Sequence, residues 1–343
     1  MYMNKWKKCK LGDALNFRRG HDLPKSSMIE GEVPVAGSNG VIGYHNVSTP
    51  ISPCITIGRS GNVGTPYIYD KCWAHNTVLY IDDYKGNHPR YLYYLLKNLP
   101  LASFGGGSAV PTLNRNHIHP IEISLPPLTE QKRIADILSA IDDKIELNRR
   151  INANLEQQAQ ALYKSWFVDA DTTGWGTKKL ADFFNVITGK KDANYSTKDG
   201  VYPFFTCSQD ILKAPNYSFE GAAILLAGNG DFNVKRYIGK FEAYQRTYVL
   251  IPFEKRYHSF LYLLIKYHLQ EITGGSRGSV IKFITKGNIA DFTFTMPPYS
   301  IDEKLSLFDS LFNEIDKNIT EINNLSTIRD TLLPKLMSGE IKV

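Results

Sequence analysis

The chain carries one pattern of glycines, prolines and tryptophans twice. A shift of 169 residues superposes the first copy on the second, and small gaps later raise the shift to 171. The coinciding pairs include Trp6 and Trp175, Leu11 and Leu180, Asp13 and Asp182, Gly20 and Gly189, Pro34 and Pro203, and Gly61 and Gly230. Most polar residues between these positions differ. Shared backbone-shaping residues with divergent polar residues predict one domain fold used twice to contact two different targets.

Composition fits a duplicated protein inside the cell. Two domains of ordinary size fit within 343 residues, and a hydrophobic content of 43% argues against disorder. No apolar run approaches the ~20 residues of a membrane span, and the N-terminus lacks the apolar stretch of a signal peptide. The four cysteines show no C-x-x-C spacing. We therefore expect a cytoplasmic protein with reduced thiols, no bound metal and no membrane contact.

Positive charge is concentrated in the two copies. Residues 1–128 contain 13 Lys and Arg against 8 Asp and Glu, and residues 169–299 contain 16 against 12. The last segment, residues 300–343, has the opposite balance, with 5 against 8. A basic excess confined to the repeats is a modest electrostatic footprint for a polyanion.

Each copy is followed by the pattern of a long amphipathic helix. Residues 129–168 lack Gly and Pro, and their apolar residues fall at steps of three and four: Ile134, Leu138, Ile141, Ile145, Ile151, Leu155, Ala159, Leu162 and Trp166. Residues 300–333 repeat this pattern from Leu305 to Leu332. We expect the two helices to pair as an antiparallel coiled coil with Asn148 and Asn152 in the seam. The alternative is that each helix lies on its own globular domain.

The repeats themselves indicate mixed α/β domains. Val41–Tyr44, Ile55–Ile57 and Thr77–Ile81 are rich in β-branched and aromatic residues, which favours strands, and a helix is expected at residues 90–99 and again at 259–269. The fold class is therefore α/β (mixed α+β). The expected domains are residues 1–128 and 171–299, with helical segments at 129–170 and 300–343.

No catalytic constellation emerges. Met296-Pro297-Pro298-Tyr299 looks like the N-P-P-Y motif of amino-methylating enzymes, but methionine replaces the asparagine that would hold the target amino group. There is no G-x-x-x-x-G-K-[ST] phosphate loop, and His75, His117 and His119 have no histidine counterparts in the second copy. We expect a chain without catalytic residues and without a cofactor.

Residues suited to reading DNA are better represented. Arg and Lys match guanine edges and phosphates, whereas Asn and Gln match adenine edges. The candidates lie in corresponding loops of the two copies: Arg59, Asn62, Lys71, Asn76 and Arg115 in the first, and Asn233, Lys235, Arg236, Tyr244, Arg246, Arg277 and Lys282 in the second. Arg59 and Arg246 lead because each lies beside turn residues with no acidic neighbour within two positions.

The chain resembles one known family over essentially its whole length, and several segments carry the resemblance. Residues 113–169, above all LPPLTEQKRIADIL at 125–138, resemble the central conserved region of the specificity subunits of type I restriction–modification systems. The turns at 37–44, 57–64, 230–235 and 244–248 are similar to turns of that family's target-recognition domains, and residues 332–341 are similar to its usual ending.

The resemblance implies two target-recognition domains held apart by paired helices. It implies a non-catalytic chain that binds a bipartite, asymmetric site in double-stranded DNA. It further implies assembly with two methyltransferase subunits, and with motor-nuclease subunits for cleavage, so that adenine methylation and cutting are directed to that site. Two features depart from the family pattern: the chain is short, and the second helix lacks the T-E-Q-K-R start found at Thr129. Less symmetric partner docking is expected.

Two other functions stay open at this point. One is a DNA-recognition module of another restriction or methylation system, without a separate cleavage subunit. The other is a non-catalytic scaffold whose repeats bind protein. Genes for a methyltransferase and a helicase-nuclease beside the gene of this chain would favour the specificity-subunit function over both alternatives.

Overall fold

The structure, a computed structural model, describes residues 6–106, 111–274 and 282–343, and its internal packing divides the chain into two units. Unit 1 comprises Met1–Leu147 and Glu321–Val343, and unit 2 comprises Asn148–Thr320. Each unit holds one of the two sequence repeats. Within the described part of the chain, no helix is long and apolar enough to cross a membrane.

Unit 1 is built on short strands. Its elements are β1 Lys7–Lys10, α1 Leu11–Ala14, β2 Asn16–Arg19, β3 Val33–Gly37, β4 Gly40–His45, β5 Cys54–Gly58, β6 Pro66–Tyr69, β7 Trp73–Ala74, β8 Val78–Asp83, α2 Pro89–Asn98, α3 Arg115–Ile118, β9 Glu122–Leu125, and the first part of α4 Leu128–Tyr163. One sheet has the order β2-β8-β5-β6, a second has the order β4-β3-β7, and β1 pairs with β9. The predicted strands and the predicted helix of this repeat are confirmed as β4, β5, β8 and α2.

Unit 2 repeats this order. Its elements are β10 Gly176–Lys179, β11 Phe184–Thr188, β12 Tyr202–Phe205, β13 Ile211–Ala214, β14 Phe219–Ala227, β15 Val234–Ala243, β16 Thr247–Pro252, α5 His258–Tyr267, α6 Leu269–Gly274, α7 Lys286–Ala290, β17 Thr293–Met296, and the first part of α8 Asp302–Met337. Six strands form one sheet in the order β11-β16-β14-β15-β12-β13, and β10 pairs with β17. A π-helical turn, Lys164–Val168, follows α4.

The two repeats differ at one strand, which is continuous in unit 2 and interrupted in unit 1. β15 has ten residues, whereas its counterpart in unit 1 is divided into β6 and β7, and Lys71 lies in the gap. β14 has nine residues and its counterpart β5 only five, because Pro50 and Pro53 precede β5 and proline lacks a backbone donor for the ladder. One continuous sheet in unit 2 therefore corresponds to two sheets in unit 1.

The matched glycines have backbone reasons. A Cβ on Gly20 would lie 2.0 Å from the carbonyl oxygen of His75, and a Cβ on Gly189 would lie 2.2 Å from that of Tyr244. Any side chain at either position would collide with the neighbouring strand. Both repeats thus require glycine at the same close approach between segments.

The long helices are anchored at both ends in hydrophobic cores. Ile134 and Leu138 of α4 are buried in the unit 1 core with Leu333 and Leu336 of α8. In unit 2, Ala159 of α4 is buried with residues from the start of α8, namely Leu305, Phe308, Phe312 and Ile315. Neither helix therefore lies on its own domain alone, because each has one end buried in the unit 1 core and the other in the unit 2 core.

Helix-to-helix contacts within each unit run in antiparallel order. In unit 1 the Arg329 guanidinium lies 2.9 Å from Asp142, and Lys144 lies 3.4 Å from Glu321. In unit 2 Asn318 donates its amide to Asn152 at 2.8 Å. The mixed α+β class, the repeated domain and the long helices are confirmed. A coiled coil along their full length, and the domain boundaries given above, stay predictions.

The joints between each domain and its long helix use different chemistry. Buried Gln131, at the start of α4, accepts from the backbone N of His88 at 2.9 Å and donates to Asn87 at 2.9 Å. The matching position in α8 is Asp302, which receives an ion pair from Arg256 at 2.9 Å. The glutamine of the T-E-Q-K-R segment therefore binds the start of α4 to its domain by hydrogen bonds. In unit 2 an exposed ion pair takes the place of these hydrogen bonds.

Candidate nucleic-acid interface

Unit 1 has a basic cleft of about 390 Å³. Its lining residues, which define the arginine cleft, are Arg18, Arg19, Arg59, Leu79, Thr112, Leu113, Asn114 and Arg115. The arginines come from the end of β2, from the loop that follows β5 and from the first turn of α3. Among the described residues, the side chains of Arg18, Arg19 and Arg59 have no ion-pair partner. Their charges can therefore attract an anion from outside the chain.

Backbone hydrogen bonds fix the position of Arg59. Its N–H donates to the carbonyl of Thr77 at 2.8 Å, and its own carbonyl accepts from Leu113 N–H at 2.7 Å. Two residues later Gly61 adopts a positive φ of 82° and donates to the carbonyl of Pro111 at 3.3 Å. These bonds fix the backbone of the loop on both sides of Arg59, and therefore the position from which its half-exposed side chain extends.

The strand that carries Arg18 and Arg19 is fixed by two side chains from the α3 region. Arg115 donates to the carbonyl of Phe17 at 3.0 Å, while the Phe17 N–H donates to Nε2 of His119 at 3.2 Å. The His119 ring stacks on that of Phe17, and burial, with Arg115 nearby, lowers the pKa of the imidazole. His119 therefore stays neutral and keeps its acceptor nitrogen for the strand. Arg18 and Arg19 follow Phe17 directly and are exposed.

Unit 2 has a second cleft at the equivalent place, of about 200 Å³. Its lining residues, which define the amide cleft, are Thr188, Gly228, Asn229, Gln245, Arg246, Tyr248, Phe283 and Ile284. The backbone bonds repeat those of unit 1: Gly228 N–H donates to the carbonyl of Arg246 at 2.9 Å, and Ile284 N–H donates to the carbonyl of Gly228 at 3.1 Å. Gly230 repeats the positive φ, at 72°.

Arg59 and Arg246, the two arginines singled out from sequence, line corresponding clefts. They occupy opposite ends of equivalent backbone hydrogen bonds. Arg59 supplies the donor side of its bond to Thr77, and at the matching bond of unit 2 Gly228 is the donor and Arg246 the acceptor. The scaffold is therefore the same while the side chain that enters the cleft comes from a different backbone position. Like Arg59, the Arg246 side chain has no ion-pair partner among the described residues.

Several other predicted contacts are exposed near these loops. Asn62 accepts from the Thr65 hydroxyl within its own turn. Lys71 and Lys282 are exposed, and the carbonyl of Lys282 accepts from Gly230. Tyr244 is half-exposed beside the amide cleft. Arg277 lies outside the described residues.

Asn76 and Arg236 bind acidic side chains of this chain. Asn76 donates its amide to Asp22. Arg236 makes two hydrogen bonds to Asp316, at 2.8 and 3.0 Å, and its guanidinium lies over the ring of Phe312. Because the Arg236 side chain is only 9% exposed, it would have to leave a paired site to reach DNA.

Asn233 and Lys235 support a neighbouring hairpin turn. The Asn233 amide donates to the carbonyl of Cys207 at 2.8 Å, and Lys235 donates to the carbonyl of Ser208 at 2.6 Å. Burial lowers the pKa of Lys235. In this conformation both residues position the turn at 207–208. The role of each predicted residue as a DNA contact stays a prediction.

Sequence reasoning overlooked two members of the arginine cleft. Arg18 and Arg19 stand immediately before the repeat-matched Gly20, and an adjacent pair of arginines at that place was the available signal. Among the described residues, no group of three or more His, Cys, Asp or Glu is placed to hold a metal ion.

Comparison with known proteins identifies the family of both repeats. The model of the type I restriction modification DNA specificity domain matches the chain twice, over residues 3–157 and 172–325. The chain is 39% identical over 175 residues to the EcoDI specificity subunit of Escherichia coli, an alignment that covers 49% of this chain and 38% of that protein. It is 27% identical over 304 residues to the MjaIX specificity subunit of Methanocaldococcus jannaschii, covering 74% of this chain and 69% of that protein. The first of these relatives is thus matched over little more than a third of its length.

A solved structure shares the fold. The crystal structure of a type I restriction–modification system S subunit from M. genitalium aligns over 98% of this chain and 97% of its own, with a TM-score of 0.67 at 17% identity. The family match covers most of both repeats, and both relatives are named as specificity subunits of type I restriction enzymes. The chain therefore belongs to the family of type I restriction–modification DNA specificity domains.

Proposed function

We propose that this chain reads a bipartite, asymmetric site in double-stranded DNA for a type I restriction–modification complex. The observation that supports the proposal is the pair of clefts: they share backbone hydrogen bonds, and their side chains differ. A common scaffold with exchanged polar groups is suited to binding one polymer at two different base strings.

The arginine cleft has the chemistry of a guanine or phosphate reader. The guanidinium of Arg59 presents a planar fork of donors that matches the O6 and N7 acceptors of guanine in the major groove. Arg18 and Arg19 add two exposed positive charges beside it. A cluster of this kind also releases counterions from the DNA backbone, which makes binding depend on salt.

The amide cleft offers a different set of groups. Arg246 is joined there by Asn229 and Gln245, whose amides match the donor and acceptor edge of adenine. Gln245 is held in place by its hydrogen bond to Asp192 at 2.7 Å. Because one cleft is dominated by guanidinium groups and the other adds amides, the two half-sites should differ in sequence.

Chemistry on the DNA would be supplied by partner subunits. Methylation of a stacked adenine needs the base extruded into a pocket that also holds the methyl donor. We propose assembly in the cytoplasm with two methyltransferase subunits, and with motor-nuclease subunits for cleavage, as the family resemblance implies. The chain would then direct both reactions to one site without acting as a catalyst itself.

Alanine substitution of the two cleft arginines tests this proposal. Arg59→Ala and Arg246→Ala should each weaken binding to the cognate duplex by about 1–3 kcal/mol if the arginine reads a base edge. A phosphate contact should instead weaken cognate and scrambled duplexes alike and lower the salt slope by about one. Fluorescence anisotropy titrations on both duplexes at several salt concentrations separate these cases.

Matched controls are available in each unit. Arg90→Ala and Lys317→Ala each remove an exposed positive charge that takes part in a surface ion pair, outside both clefts. They should leave the preference for the cognate duplex unchanged. If the cleft variants bind both duplexes as the wild type does at every salt concentration, the clefts do not contact DNA. A wild-type chain with no preference for any duplex would favour the protein-scaffold alternative.

A further inference from the structure

Both repeats expose a pair of branched aliphatic residues at the same hairpin position. In unit 1 these are Val41 and Ile42, whose side chains are 46% and 39% exposed, and in unit 2 they are Ile211 and Leu212, at 55% and 37%. Val41 pairs with Ala36 across the first hairpin, and Ile211 pairs with Phe205 across the second, which are equivalent positions. We name them the hairpin aliphatic pairs. Each lies near the start of the outermost strand of its sheet, β4 or β13.

The first pair is exposed because the strand contains a bulge. The pairing of β3 with β4 shifts between Val35 and Ala36, so that Ile42 is an extra residue without a partner. The Ile42 side chain lies over Gly37, where a Cβ would lie only 2.7 Å from it. Exposed aliphatic residues on an edge strand invite unwanted pairing, so their presence at one position in both repeats indicates a surface that is covered in use.

Each hairpin turn adjoins the loop that carries the cleft arginine. In unit 1 a Cβ on Gly58 would lie 3.4 Å from the Ser38 side chain, and Gly58 immediately precedes Arg59. In unit 2 the Cys207 thiol donates to the carbonyl of Arg246 at 3.4 Å. The hairpin aliphatic pairs are therefore continuous with the candidate DNA interface in both units.

We propose that the hairpin aliphatic pairs contact the C5-methyl groups of thymines in the major groove, next to the bases read by the clefts. This inference rests on the proposed function. The major groove, about 12 Å wide, admits a two-stranded β-ribbon, and apolar side chains recognise the thymine methyl there. β4 and β13 are the outer strands of the hairpins β3–β4 and β12–β13, whose inner strands also pair with β7 and β15. DNA suits the surroundings better than a protein partner, because an exposed or half-exposed arginine lies beyond each turn. Beside the second pair, exposed Lys213 balances exposed Asp210, so that the arginine leaves the excess positive charge.

Replacing thymine by deoxyuridine removes the methyl group and leaves base pairing intact. We would map the cognate site of the wild-type chain, replace each thymine singly by deoxyuridine, and measure affinity by anisotropy. At one or two positions in each half-site, loss of the methyl should weaken wild-type binding by about four-fold. The variant Val41→Ala/Ile42→Ala should abolish the thymine preference in the first half-site only, and Ile211→Ala/Leu212→Ala in the second only.

Ile328→Ala is the control, since Ile328 is an equally exposed isoleucine on α8. It should preserve every thymine preference. The hairpin inference alone is overturned if the wild type prefers its cognate site but binds every deoxyuridine-substituted duplex as tightly as the thymine duplex. It is also overturned if the hairpin variants retain the thymine preference. Hairpin variants that bind DNA normally but no longer assemble with the methyltransferase subunits would assign the surface to a protein contact. A wild-type chain that prefers no sequence would overturn the proposed function and this inference together.

Discussion

At the scale of single residues, Gly20 shows why the two repeats share their glycines. The position has no special φ; it is glycine because the neighbouring strand leaves no room for a Cβ, and Gly189 meets the same obstacle. Such a position depends on tertiary contact, so the sequence reveals it only through its recurrence in the second repeat.

Gly20→Ala should destabilise the protein by about 1–3 kcal/mol, because a backbone shift is needed to accommodate the methyl group. Gly176→Ala is the matched control: it also lies in a repeat, yet a Cβ there would meet nothing within 4 Å. Urea unfolding of both variants, followed by circular dichroism, checks this expectation. Equal midpoints for the two variants would show that the close approach at Gly20 is not rigid.

Buried His258 should make stability depend on pH. Its Nε2 lies 3.0 Å from the carbonyl of Ala223, and burial lowers the pKa of the imidazole to about 4. Between that value and the ordinary pKa of about 6.5, the unfolded chain binds a proton that the folded chain does not. Stability should therefore fall by ~2 kcal/mol from pH 7 to pH 5.

The variant His258→Gln keeps an amide donor for Ala223 and removes the titrating group. Its urea midpoint should depend less on pH than that of the wild type across the same range. Parallel pH profiles for the two proteins would mean that another group causes the acid destabilisation.

The cleft residues illustrate where sequence reasoning ends. Arg59 was identifiable because it stands in a glycine-rich turn that recurs in the second repeat as a loop of the same backbone. Arg18 and Arg19 belong to a short strand whose placement depends on Arg115 and His119, about a hundred residues away. No local pattern contains that contact, so their membership in the cleft required the folded chain.

At the scale of elements, the long helices were foreseeable, but the burial of their ends in the domain cores was not. Steps of three and four residues establish an apolar stripe, but the same spacing serves a helix pair and a domain core equally well. Ile134 and Leu305 lie in such stripes and are buried in domain cores. The interruption between β6 and β7 was also not foreseen. It arises from a few residues that differ between the repeats, and no sequence pattern marks them.

The polar contact between Asn152 and Asn318 offers a test of the helix pair in unit 2. Asn318→Leu alone should destabilise the protein by about 1–3 kcal/mol, because the side-chain oxygen of Asn152 loses its hydrogen-bond donor. The double variant Asn152→Leu/Asn318→Leu should recover most of that loss, because two leucines can pack together. Thermal unfolding of the two single variants and the double variant forms a complete cycle. Strictly additive effects would show that the two amides are not coupled.

At the scale of the whole molecule, duplication separates framework from specificity. The mixed α+β architecture follows from residues that both repeats retain, whereas each cleft is lined by residues that differ between them. The family match over both repeats agrees with this division. We therefore predict that the two domains can change their targets independently.

Sequencing of methylated adenines tests whether the two domains read their base strings independently. Cells carrying the chain and its methyltransferase partner should show methylation at two defined base strings separated by base pairs of any identity. When residues 1–128 are exchanged for the corresponding block of another family member, one string should change and the other should stay as it was. A methylation motif without an unspecified gap, or a motif in which both strings change after the exchange, would contradict the account.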